Sequence, residues 1–170
     1  ESEGFAATGS NGYRMAGAVA GGKAGDFEVS ADVFALKHDL NSDPTIDRFN
    51  RTGSADQSLE NYNLGFNLRR GGFSFKGRLA DNDSGVSYGQ SFSLSDDLRD
   101  RLKVRNAMFD LGYQADVAPG ITADFSLGYL DETRTLQNKV MPDGSMLMMP
   151  PMPPMRLSNG RYFLVDYFEK

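Results

Sequence analysis

Apolar and polar residues alternate along this chain with a period of two, and the alternation restarts several times. In Leu59–Arg70, the residues Tyr62, Leu64, Phe66 and Leu68 alternate with Asn61, Asn63, Gly65 and Asn67. An extended chain sends successive side chains to opposite faces, so this pattern predicts a strand with one apolar and one polar face. Beyond Gly71 and Gly72 it resumes as Phe73, Phe75, Gly77 and Leu79 against Ser74, Lys76, Arg78 and Ala80, which predicts a hairpin. A second hairpin sets Ala107, Phe109, Leu111, Tyr113 and Ala115 before the turn at 116–120, and Ile121, Ala123, Phe125, Leu127 and Tyr129 after it. Nearer the start, Tyr13, Met15, Gly17 and Val19 lead through a turn at 21–25 into Phe27, Val29, Ala31, Val33 and Ala35. With residues 3–8 as a first strand turned at 9–12, and a closing segment that sets Phe163, Val165 and Tyr167 on one face, the expected count is eight.

The connections follow a rule of their own. Short Gly-rich turns at 21–25, 70–72 and 117–120 alternate with long polar stretches near 40–57, 82–103 and 138–158. Short turns on one side and long loops on the other predict an all-β fold, an antiparallel transmembrane β-barrel meander of about eight strands with short periplasmic turns and long extracellular loops. It occupies residues 1–170 as a single barrel domain or barrel segment. The mid-strand polar residues Glu28, Asp32, Lys76, Arg78, Asp110, Gln114 and Asp124 suit a watery lumen or a solvated outer surface equally well. Two features favour the membrane. Tyr13, Tyr62, Tyr113, Tyr129 and Tyr167 stand near strand ends, where an aromatic girdle belongs, and the loops are far longer than the ~4–6 residues usual in compact domains. The competing readings are a complete small eight-stranded barrel with an adhesive or structural role, and a soluble β-barrel ligand-binding protein.

Composition removes other classes. The 170 residues carry a net charge of −5 with scattered Lys and Arg, which argues against nucleic acid as a partner. Without cysteine there is no disulfide framework and no thiolate metal site. No apolar run approaches the ~18 residues of a membrane-spanning helix.

The stretch Gly4-Phe-Ala-Ala-Thr-Gly-Ser-Asn-Gly-Tyr-Arg14, followed by Gly21-Gly-Lys-Ala-Gly-Asp26 and Ala31-Asp-Val-Phe-Ala35, resembles the opening barrel strands of a TonB-dependent outer-membrane receptor. The later hairpins are similar in style. The resemblance implies a location in the cell outer membrane and energy-coupled import of a scarce, unidentified extracellular ligand. It also implies contact with outer-membrane lipid, with a plug domain and with TonB. That family's barrel has about 22 strands around a plugged lumen. Eight strands starting at Glu1 would be its N-terminal part, with the plug absent.

Candidate chemistry is sparse, and no catalytic residue or cofactor is expected. The single histidine, His38, has no Gly-x-Ser-x-Gly elbow to work with, so the chain does not read as an enzyme. Asp39-Leu-Asn-Ser-Asp43 opens like a calcium loop, but Pro44 stands where such a loop needs Gly. Residues 81–85 read as a turn, and Ser95 to Leu102 as one short capped helix. The anomalous segment runs from Met141 to Met155 and holds six of the eight methionines and five of the seven prolines. Thioether sulfur is a soft donor, so Met146, Met148, Met149, Met152 and Met155 form a candidate Cu(I) site, against the alternative of an adaptable contact loop.

Overall fold

The structure, a computed structural model, describes residues 1–39, 44–86, 94 and 100–137, and the backbone alone at 138–139, 146–147, 155–156 and 162–169. All regular structure among these residues is β: β1 (Ser2–Thr8), β2 (Arg14–Ala24), β3 (Phe27–His38), β4 (Thr45–Ile46), β5 (Thr52–Gly53), β6 (Leu59–Arg70), β7 (Phe73–Gly85), β8 (Arg101–Ala118), β9 (Ile121–Lys139), β10 (Met146–Leu147), β11 (Met155–Arg156) and β12 (Tyr162–Glu169). The long strands form one eight-stranded antiparallel sheet in the order β1-β2-β3-β6-β7-β8-β9-β12. β4 with β5, and β10 with β11, make two-residue ribbons inside the long connections.

Tight turns join β1 to β2, β2 to β3, β6 to β7 and β8 to β9, whereas β3 to β6, β7 to β8 and β9 to β12 are joined by the long connections. Gly25, Gly71 and Gly120 take positive φ on the short-turn side, while Asn11 and Gly12 do so at the β1–β2 turn. That last turn is a short connection at the long-loop end, where a first strand turned at 9–12 places it.

Four sequence expectations change. The closed barrel is not what the described residues form: β1 and β12 are the ends of the sheet order, and the observed fold is an antiparallel meander sheet. Residues 81–85 are not a turn but the last stretch of β7, paired with residues 101–105. Arg101 and Leu102, expected in a helix, begin β8, while residues 95–99 lie outside the described residues. In β2, Met15, Gly17 and Val19 stand opposite Leu36, Phe34 and Asp32, which puts them on the polar face. The apolar face of β2 is instead Ala16, Ala18, Ala20 and Gly22, opposite Ala35, Val33, Ala31 and Val29.

Neither face of the sheet is covered by a second layer. Among the described residues the buried apolar side chains are Ala55 and Leu94, and both lie in connections. Within the sheet, Val33 is 50%, Phe125 64% and Leu127 70% exposed. The chain exposes 11776 Å², against roughly 8,200 Å² for a compact monomer of the same mass.

Candidate functional site

Register converts the sequence alternation into two chemically distinct walls. On the apolar wall, Val33, Leu64, Leu79 and Ala107 form one cross-strand row, and Val29, Leu68, Phe75, Leu111 and Leu127 another. Between them, Phe66 and Phe109 flank Gly77 on its two neighbouring strands. Their rings close over it with Phe75: Phe66 meets Phe75 edge-on at 5.4 Å, and Phe109 stacks on Tyr129 at 6.4 Å. A Cβ at Gly77 would collide with the Phe66 ring, so the missing side chain is what lets this aromatic cluster assemble.

The apolar wall is bounded at both ends. Toward the short turns, Phe73 stands opposite Tyr113 and Tyr113 opposite Phe125, with Arg70 next in the row. The Arg70 guanidinium lies 4.9 Å over the Phe27 ring and 3.6 Å from Asp26. Toward the long loops the same face becomes charged. Lys37 pairs with Glu60 at 2.6 Å, Arg105 with Asp81 at 2.9 Å, and Lys103 with Asp83 at 3.2 Å. Of the tyrosines expected at a girdle, Tyr113 lies in the aromatic row and Tyr62 beside Asp81 at the charged margin, whereas Tyr129 sits mid-band. Tyr13 lies in the β1–β2 turn against His38, their rings edge-on at 5.5 Å. Tyr167 has only its backbone described, opposite Arg134.

The polar wall carries Ser30, Asn67, Lys76 and Asp110 in one row, and Asp32, Gly65 and Arg78 in the next, which continues into the apolar Met108 and Leu130. Asp32 and Arg78 approach to 3.9 Å across β6, over Gly65, where a side chain would strike the Asp32 carboxylate. Asn61 bonds Asn63, and Arg134 bonds Glu132, along single strands. A hollow of about 510 Å³ opens on this wall, where Met108 and Leu130 line it together with Asp32, Lys76, Arg78 and Asp110.

At the long-loop end a third feature joins two connections. Asp47, with no side-chain exposure, accepts hydrogen bonds from the backbone N–H groups of Phe49 (2.8 Å), Arg51 (3.0 Å) and Leu94 (3.0 Å), and from Arg51 Nε (2.8 Å). Burial pushes the Asp47 carboxyl up, but these donors together outweigh it and hold the group at about 2. The Arg51 guanidinium also donates to the Leu94 carbonyl at 2.9 Å. Closer to the sheet, Arg101 Nε donates to Asp83 at 2.6 Å and its Nη1 to the Ser58 hydroxyl at 2.7 Å, with Asp56 at 3.5 Å. Nothing in the sequence pattern pointed to Asp47 or Leu94, since each is an isolated residue in a polar stretch.

The other sequence candidates are not assembled into a site. No group of three His, Asp or Glu residues able to hold a metal ion occurs among the described residues. The side chains of Met146, Met148, Met149, Met152 and Met155 lie outside the described residues, as do residues 40–43 of the calcium-like segment. The backbone register sets Met146 opposite Arg156 and Leu147 opposite Met155. No family model, no curated protein and no solved structure matches this chain, so a functional reading rests on its own residues.

Proposed function

We propose that the chain is a wall segment of an outer-membrane β-barrel, part of a TonB-dependent receptor that imports a scarce extracellular ligand. In this reading the apolar wall meets lipid and the polar wall lines the lumen, where a plug domain and the passing ligand contact Asp32, Asn67, Lys76 and Arg78. The wall contributes surface and no catalysis. One observation carries the reading: a single face on which a band of Val, Leu and Phe is closed below by the Phe73–Tyr113–Phe125 row and above by ion pairs. Lipid-facing barrel walls have this sequence of zones, with an apolar band between aromatic margins and polar rims.

The absence of cysteine makes the test direct. Single replacements Leu64→Cys, Leu79→Cys and Leu127→Cys are labelled with an environment-sensitive fluorophore after refolding into lipid vesicles, and compared with Asn67→Cys, Lys76→Cys and Asp124→Cys. Nitroxide-bearing lipid should quench the first three strongly and the second three little. Equal quenching of the two sets, or failure to enter the bilayer, would return the chain to the soluble binder.

A further inference from the structure

We infer that the hollow on the polar wall is a binding site for a small zwitterion with an apolar side chain, a short apolar peptide with both of its ends free. The inference deepens the import reading by naming a ligand class, and it rests on that reading only for where the ligand comes from.

Three observations carry it. The first is that opposite charges in the hollow are held apart. Lys76 and Asp110 are direct cross-strand partners on β7 and β8, yet among the described residues neither enters an ion pair or a side-chain hydrogen bond. Asp32 and Arg78 approach only to 3.9 Å and both remain exposed. Lys76 and Arg78 thus form a cationic pair roughly 7 Å apart along one strand face, with a carboxylate on either side, Asp32 from β3 and Asp110 from β8. These four charges sum to zero. A ligand of one sign would attract two of them and be repelled by the other two, whereas a zwitterion is complementary to both.

The second is an apolar patch beside the charges. Met108 and Leu130 are cross-strand partners that continue the row of Arg78, and each is 49% exposed. Each lies two residues along its strand from Asp110 or Gly128, so an apolar group laid on them is within reach of the charged groups. Covering them removes apolar surface from water on both partners.

The third is that glycine leaves the room. Gly128 stands opposite Asp110, and a Cβ there would meet only the Phe109 carbonyl oxygen, at 3.9 Å. The space next to Asp110 is therefore open on the β9 side. At about 510 Å³ the hollow falls within the roughly 300–1,000 Å³ of small-molecule sites. A dipeptide spans roughly 7 Å, the spacing of these groups. Its carboxylate bridges Lys76 and Arg78, its ammonium meets Asp110, and its side chain lies on Met108 and Leu130.

The test is calorimetric titration of the refolded full chain in detergent with four probes: leucyl-leucine, its N-acetyl form, its C-terminal amide, and glycyl-glycine. Leucyl-leucine should bind, and each of the other three about tenfold more weakly, because each lacks one of the three contacts. Lys76→Gln should abolish the preference for the free carboxylate and keep that for the free amine, and Asp110→Asn should do the reverse. Gly128→Val fills the open space with a residue that suits a strand, so it should fold and lose binding. No binding of leucyl-leucine, equal affinity for the four probes, or both preferences surviving in both charge variants would overturn the inference. Lipid quenching without peptide binding would overturn this site and leave the membrane wall standing. Peptide binding without lipid quenching would keep the site and overturn the membrane wall.

Discussion

At the scale of single residues, two glycines do opposite kinds of work on the two faces. Gly77 lies under the Phe66 ring on the apolar wall, and Gly65 under the Asp32–Arg78 pair on the polar wall. Gly77→Val has to displace Phe66 and press on Phe109, whose ring atom is 3.1 Å from the added Cβ, so it should cost ~1–3 kcal/mol of stability in a urea titration in detergent. Gly22→Ala, with nothing within 4 Å and no positive φ, should be neutral or gain up to ~1 kcal/mol by narrowing the unfolded ensemble. The face assignment makes a sharper contrast. If the apolar wall meets lipid as proposed, Phe66→Arg places a charge in the middle of its band and should cost ~2–4 kcal/mol in a bilayer folding titration, while Asn67→Arg on the polar side should be tolerated. Equal cost at the two positions would mean that the walls have been assigned to the wrong environments. Adjacent residues with opposite responses are also what made this fold legible: an alternation that survives from Tyr62 to Leu79 fixes which side chains share a face before any pairing is known.

At the scale of elements, the strands were readable in their middles and unreadable at their loop-side ends. Asp81-Asn-Asp-Ser-Gly85 carries turn residues, yet it is strand, because Arg101, Lys103 and Arg105 across the ladder pair with its carboxylates. Once both faces of a strand are polar the period-two signal vanishes, and only the partner strand reveals it. β2 misled for the converse reason, since its apolar side is alanine and glycine while the larger Met15 and Val19 point the other way. The Asp47 latch was invisible because it depends on two connections meeting in space. Its chemistry gives a pH prediction. The folded carboxyl sits at about 2, below the ~3.9 of an unfolded Asp, so the latch contributes its full stability above pH ~4 and loses it as pH falls through about 2. The Phe49 and Arg51 amide proton resonances should accordingly titrate with a midpoint near that folded value of about 2; a midpoint near the unfolded ~3.9 would mean that the carboxylate is not held as described.

At the scale of the whole molecule, the open issue for a meander sheet is its edges. β1 and β12 end the sheet order, and an unpaired strand offers a row of N–H and C=O groups to any passing chain. β1 is poorly defended: its seven residues, Ser2–Thr8, include neither Lys nor Pro. The ladder tells which of its donors are free to recruit. Glu1 and Gly21 exchange hydrogen bonds in both directions, so the odd-numbered residues of β1 bond to β2, and the N–H groups of Ser2, Gly4, Ala6 and Thr8 point away from the sheet. If the chain is a wall segment of a larger barrel, it should self-associate in detergent through this edge. Ala6→Pro removes one outward donor while sparing the β1–β2 ladder, so it should shift the population toward monomer in light scattering. If the eight strands instead close on themselves, with β1 against β12, the unsubstituted chain should run as a monodisperse, heat-modifiable monomer. Ala6→Pro would then break the seam and abolish heat modifiability. The two architectures thus predict opposite consequences for the same proline, because the same N–H is a liability in one and a structural bond in the other.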